Sequence, residues 1–189
     1  MITLSDAGHM LKEWELVDST VDRDYEVFKI KAIHAISPRT NRKGRFYTIE
    51  TNDWVNIIPI TGNQEVVMIR QYRHGSKEIS LEIPGGLVDD ENTEGAALRE
   101  LLEETGYTGD TIKYLGAVNP NPAIFNNLCH TYLVENARCT SEKNLDPNED
   151  IEVVLVPISE ILSLIDSGVI NHALVVVAFY YYFAKKGHL

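Results

Sequence analysis

Pro84-Gly85-Gly86-Leu87-Val88-Asp89-Asp90-Glu91-Asn92-Thr93-Glu94-Gly95-Ala96-Ala97-Leu98-Arg99-Glu100-Leu101-Leu102-Glu103-Glu104-Thr105-Gly106-Tyr107 runs from a glycine pair through an acidic loop into a set of helix formers. Ala96 to Thr105 has high helix propensity, Asn92 suits the N-cap, and Gly106 stands where a helix ends in a left-handed residue. The segment predicts a short helix. The preceding apolar, proline-ended Leu81-Glu82-Ile83-Pro84 followed by two glycines predicts a tight backbone turn, whose carbonyls face a metal or whose amides face a phosphate.

On the expected helix Glu100, Glu103 and Glu104 fall at i, i+3 and i+4, so their carboxylates share one face. They repel one another, and near the helix C-terminus the dipole disfavours each by roughly 0.3–1 kcal/mol. A hard divalent cation is the natural counter-charge, because Mg²⁺ and Mn²⁺ prefer carboxylate oxygen and keep waters that become nucleophiles. The other reading is a solvated acidic helix face. Arg99 is placed to orient one carboxylate.

The chain has 189 residues, 44% apolar and 24% charged, which fits an ordinary globular protein with a sizeable core. A net charge of −11 argues against a general nucleic-acid surface while leaving a small phosphorylated substrate compatible. Cys129 and Cys139 form neither a disulfide framework nor a zinc pattern, and a reducing cytoplasm is the simplest setting. The N-terminus lacks a signal pattern and no apolar run reaches 18 residues, so no membrane association is expected.

Trp14 to Val17 reads as a short strand ended by an Asp18-Ser19-Thr20 turn. Glu26 to Ile36 and Arg45 to Thr51 are further strands, giving an N-terminal antiparallel β subdomain over residues 1–50. Residues 51–189 form the main domain. In it Trp54 to Ile60 and Glu65 to Arg70 read as a buried hairpin, followed by strands at Lys113 to Val118, Leu128 to Val134 and Ile151 to Val156. Helices are expected near Ser159 to Ser167 and His172 to Lys185. The order implies an α/β fold, a mixed sheet sandwiched between helices. Arg70 and Arg73 suit a diphosphate, or else pair with surface acids.

Gly85, five residues, Glu91, seven residues, then Arg99-Glu100-Leu101-Leu102-Glu103-Glu104-Thr105-Gly106-Tyr107 resembles the Nudix box of the Nudix hydrolases. Counted from Gly86 the loop to Glu91 is one residue short, and Tyr107 stands where an aliphatic residue is commoner. Trp14-Glu15-Leu16, Asp53-Trp54-Val55-Asn56, Arg70-Gln71-Tyr72-Arg73, Leu81 to Gly86, Pro122 and Asn148-Glu149-Asp150-Ile151 are similar, in order and spacing, to the ADP-ribose and nucleoside-diphosphate-sugar pyrophosphatase branch.

The resemblance implies a Nudix fold and Mg²⁺-dependent hydrolysis of a nucleoside diphosphate sugar, with Mn²⁺ able to substitute. It implies metal ligation by Gly85, Glu100, Glu103 and Glu104, substrate contacts from Trp14, Arg70, Arg73, Gly86, Leu87 and Arg99, and a homodimer in which the N-terminal strands reach the partner subunit and complete its substrate site. Glu149 is the expected general base, with Asp146, Asp150 and Glu152 as alternatives; Glu103 is a further catalytic candidate. Other readings are a hydrolase of oxidised nucleoside triphosphates or dinucleoside polyphosphates, and a non-catalytic nucleotide-sugar sensor.

Overall fold

The computed structural model describes residues 11–89 and 92–187, so Glu91 lies outside the described residues. In chain order the strands are β1 (Glu15–Asp24), β2 (Lys29–Ile36), β3 (Lys43–Glu50), β4 (Trp54–Thr61), β5 (Glu65–Arg73), β6 (Glu78–Glu82), β7 (Gly85–Leu87), β8 (Tyr107–Thr108), β9 (Thr111–Val118), β10 (Cys129–Cys139) and β11 (Ile151–Pro157). Helix α1 (Thr93–Thr105) lies between β7 and β8, and α2 (Ile161–Asp166) and α3 (Ala173–Lys186) follow β11. One compact unit contains the described residues up to Thr51 with Asn121–Asn126, and the other contains Asn52–Pro120 and the chain from Asn127 onward.

The first unit is an antiparallel sheet in the order β1-β2-β3. The turn expected at Asp18-Ser19-Thr20 is absent, and β1 runs through these residues to Asp24. As an exposed edge strand it needs no apolar alternation, and it absorbs its irregular sequence in register shifts between Leu16 and Asp18 and between Val21 and Arg23. The Asn121–Asn126 segment attaches beside β3, where Ile49 N donates to Ile124 O at 2.6 Å and Thr51 N donates to Asn126 Oδ1 at 3.0 Å.

The second unit is built on a mixed sheet in the order β11-β5-β4-β10-β8, with β6 on β5, β7 on β4 and β9 on β10. β4 and β10 run parallel at its centre. A parallel pair needs a crossover, and the chain between them, including α1, supplies it. Successive strand residues point to opposite faces, which divides the apolar runs between two cores. Val55, Ile57, Val67, Tyr132 and Val134 pack with Ala96, Ala97 and Leu101 of α1. Ile58, Ile60, Val66, Met68 and Leu133 pack instead with Ile161 of α2 and Val175, Ala178, Phe179, Tyr182 and Phe183 of α3. The unit is therefore a sheet covered by helices on both faces.

The glycine pair forms β7 rather than the expected tight turn: Gly86 pairs antiparallel with Val55, and Gly85 with Asn56. Neither glycine has positive φ. Close approach is what excludes a side chain, since a Cβ on Gly85 would collide with the Val55 carbonyl and one on Gly86 with the Glu100 carboxylate. The first obstacle is the backbone of a core strand and the second is the end of a flexible side chain. Gly85→Ala is expected to lower stability by about 1–3 kcal/mol in a urea titration, with Gly86→Ala costing clearly less; equal losses would contradict this contact pattern.

Candidate active site

Helix α1 forms where its caps allow. The Asn92 side chain accepts from Gly95 N, and Gly106, at φ 75°, sends its N–H back to Leu102 O. Ala96, Ala97 and Leu101 bury one face, and the spacing that buries them turns Glu100, Glu103 and Glu104 toward β7 and its surroundings. The three acids occupy different environments. The Glu104 residue is 4% exposed and its carboxylate accepts from Gly85 N at 2.9 Å. The Glu100 carboxylate lies against Gly86, and Glu103 is the most exposed of the three.

Arg99 ties this face together. Its Nη1 donates to Glu100 Oε1 at 2.9 Å and to Glu103 Oε2 at 3.0 Å, while Nη2 donates to Leu87 O at 3.0 Å. With Glu100 and Glu103 drawn to Arg99 and Glu104 to the Gly85 amide, no three metal-ligating groups among the described residues converge on one point. The donor set nevertheless fits a hard divalent cation in its chemistry: it is all-oxygen, anionic and partly buried.

The electrostatics carry the same signature. Burial pushes the Glu104 carboxyl up to about 8, against the opposing Gly85 N–H, with the charges of Glu100 and Glu149 adding to the rise. Glu100 is also raised, first by burial and then by Glu103 and Glu149, with Arg99 opposing. Thus Glu149, from the loop before β11, lies within electrostatic reach of both helix acids. Its carboxylate caps its own loop by accepting from Asp146 N at 2.9 Å. Glu149 and the alternative bases Asp146 and Asp150 are all exposed, and Glu152 is engaged with Arg70 at 2.9 Å.

The two arginines before the glycines differ. Arg70 forms an exposed pair with Glu152. Arg73 makes a two-pronged pair with Glu82, Nε to Oε1 at 2.8 Å and Nη2 to Oε2 at 2.6 Å. Glu82, 3% exposed, is the site residue that sequence reasoning did not select. Its signal was a carboxylate inside the apolar run Leu81 to Pro84, since a buried charge needs a partner. Arg73 also feels Glu104, and Glu82 feels His172, so this ion pair borders the helix acids. Trp14 belongs to the N-terminal unit, half-exposed, its ring edge-to-face with Phe46 at 5.2 Å.

Comparison with known proteins agrees with this architecture. The NUDIX domain family matches residues 51–178. An ADP-ribose pyrophosphatase of Bacillus subtilis is 31% identical over 134 residues, covering 70% of this chain and 72% of the relative. An ADP-sugar pyrophosphatase of Mus musculus is 32% identical over 154 residues, covering 76% and 68%. A crystal structure of an ADP compounds hydrolase superposes with a TM-score of 0.83 over 96% of this chain and 100% of that one; at 21% identity it shows the fold alone.

Burial raises the Glu82 carboxyl, but the Arg73 pair outweighs it and holds the group below the ordinary carboxylate range. A lowered folded value stabilises the protein above the unfolded value and loses that stability as pH falls through the folded one. Arg73→Ala strands a buried charge and is expected to cost about 1–3 kcal/mol at neutral pH, shrinking toward pH 4 as Glu82 protonates. Urea titrations at both pH values read this directly. A loss independent of pH would contradict it.

Proposed function

The chain belongs to the Nudix family of hydrolases, and on that premise we propose that it hydrolyses the diphosphate of ADP-ribose or a related nucleoside diphosphate sugar with Mg²⁺. The products are a nucleoside monophosphate and a sugar phosphate, AMP and ribose 5-phosphate for ADP-ribose. The observation that carries this reading is the buried Glu104, bonded to the Gly85 amide on the same helix side as Glu100 and Glu103, with Glu149 in electrostatic reach. The choice of substrate follows the relatives' names.

Glu100, Glu103, Glu104 and the Gly85 carbonyl hold the metal in this reading. When bound, Mg²⁺ or Mn²⁺ neutralises diphosphate oxygens and acidifies a water. Glu149 would take the proton of the attacking water as the water oxygen bonds to phosphorus and the bridging P–O bond breaks, leaving both products as phosphomonoesters. The base sits on a loop off the helix, and a carboxylate so placed contributes about 10²–10⁴ in rate. Arg99 orients Glu100 and Glu103 and contributes, with Gly86 and Leu87, to the wall that meets the substrate. Arg73, fixed by Glu82, and Arg70 supply positive charge toward the phosphates.

Trp14 is assigned to the base of the substrate, because a flat ring covers a purine at low entropy cost. A homodimer belongs to the same reading. Its support is the apolar surface of the N-terminal sheet, where Leu16, Val17, Val21, Phe46 and Tyr47 are all exposed. Among the described residues no helix is long and apolar enough to cross a membrane. The free cysteines, Cys129 buried and Cys139 exposed, support a reducing cytoplasm as the setting.

A substrate panel with Mg²⁺ tests the proposal: ADP-ribose is expected to yield AMP and ribose 5-phosphate, and turnover confined to oxidised nucleoside triphosphates, or none at all, would overturn it. With the preferred substrate, Glu149→Gln should lower kcat at least about a hundredfold with little change in KM. A near-wild-type kcat would remove Glu149 as the base. Glu104→Gln keeps the Gly85 bond but cannot ionise to ligate a cation, so activity should vanish and stay absent at millimolar Mg²⁺; rescue by ordinary Mg²⁺ would count against ligation.

A further inference from the structure

The loop between β10 and β11 carries Glu149, and its first half is fastened to the helix that bears the acids. Thr140 N and Ser141 N donate to Gly106 O at 2.9 and 3.2 Å, and Asn144 N donates to Glu103 O at 2.9 Å. The end of a helix leaves such carbonyls without an intrahelical partner, and here the loop satisfies them. The far end of the loop is fixed as well. Ile151 opens β11, is 3% exposed and pairs with Gln71 of β5.

Between these anchors lies the turn Asp146-Pro147-Asn148-Glu149, with proline at the second position, which suits it, and Glu149 N donating to Asp146 O at 2.9 Å. Asp146 N donates in return to the Glu149 carboxylate at 2.9 Å, so turn and carboxylate form one unit. Lys143 joins the two ends of the loop: its Nζ donates to Ile151 O at 2.5 Å, closing a ring just beyond Glu149. From Thr140 to Glu152 the sequence holds the acids Glu142, Asp146, Glu149, Asp150 and Glu152, with Lys143 as the lone cation. In so acidic a stretch an ammonium ordinarily pairs with a carboxylate, yet this one is directed to a neutral carbonyl. Holding a surface lysine in one place costs side-chain entropy, so the bond adds little to global stability. What it sets is the shape of the loop.

We propose that Lys143 is a positioning residue for the hydrolysis: by tying the start of the loop to Ile151 it holds the Asp146 to Glu149 turn, and with it the Glu149 carboxylate, in place relative to Glu100 and Glu104. The inference rests on the reading of Glu149 as the base. Lys143 touches neither substrate nor metal in it and acts only through Glu149. A misplacement of about 1 Å in a reacting group costs up to about 10²-fold in rate. The loss on cutting the tether therefore falls on kcat, while KM, which depends on contacts from other elements, stays nearly unchanged.

A double-mutant cycle with the preferred substrate tests this. Lys143→Met should lower kcat at least about fivefold with KM within about twofold of wild type, and Lys143→Arg, which keeps a donor, should recover most of the loss. In the Glu149→Gln background the same Lys143→Met change should alter kcat by less than about twofold, since the group it positions is gone. Amide hydrogen exchange followed by nuclear magnetic resonance reads the loop without substrate: exchange at Asp146 and Glu149 should speed up in Lys143→Met while that of Leu101 in α1 keeps its wild-type rate. A wild-type kcat in Lys143→Met, a loss of equal size in the Glu149→Gln background, or unchanged exchange at Asp146 and Glu149 would each overturn the inference. A near-wild-type kcat in Glu149→Gln alone overturns the base reading and this inference with it. A low kcat there beside a wild-type kcat in Lys143→Met overturns the inference and leaves the base in place.

Discussion

The hydrogen bond from the Gly85 amide to the Glu104 carboxylate joins the strand layer to the helix that carries the acids, and much of the site follows from it. β7 lies close to α1 on one side and to β4 on the other: the missing side chain at Gly86 admits the Glu100 carboxylate, and the one at Gly85 admits the Val55 carbonyl of β4. β7 is held on its other side by β4, reinforced where Ile57 N donates to Pro84 O at 2.9 Å. A carboxylate is thereby fixed in an apolar layer beside other carboxylates. That arrangement costs stability and is useful only to a group that supplies positive charge.

Arg99 meets part of this need from within the chain. It bridges Glu100 and Glu103 and anchors to the Leu87 carbonyl, tying the acidic face to the strand beneath it. Arg73 does the corresponding work one strand away through Glu82. Arg99 holds the partly buried Glu100 and the more exposed Glu103, while Arg73 holds the buried Glu82. Glu149 differs from all of these because it comes from a loop, where a modest backbone change alters its distance to the helix.

What was legible in the sequence was what local chemistry determines. Asn92 and Gly106 marked the ends of α1 through their caps, and the runs Trp54 to Ile60 and Glu65 to Arg70 announced buried strands through β-branched composition. β1 was cut short because Asp18-Ser19-Thr20 has turn chemistry, whereas pairing with β2 overrides that preference on an edge strand. β7 was read as a turn because a glycine pair more often bends the chain; the approach of α1 that explains it is a tertiary fact. The Arg73–Glu82 pair escaped for the same reason. Each residue alone looks like surface, and only the pairing of β5 with β6 brings them together.

The central claim is that Glu100, Glu103 and Glu104 form a divalent-cation site poised on the Gly85 amide. Electron paramagnetic resonance of free Mn²⁺ during titration measures this without any substrate. Saturable binding to the wild-type chain, weakened at least about tenfold in Glu100→Gln/Glu104→Gln, is the predicted result. Equal Mn²⁺ binding by the two proteins would contradict the account, since the cation would then be held elsewhere.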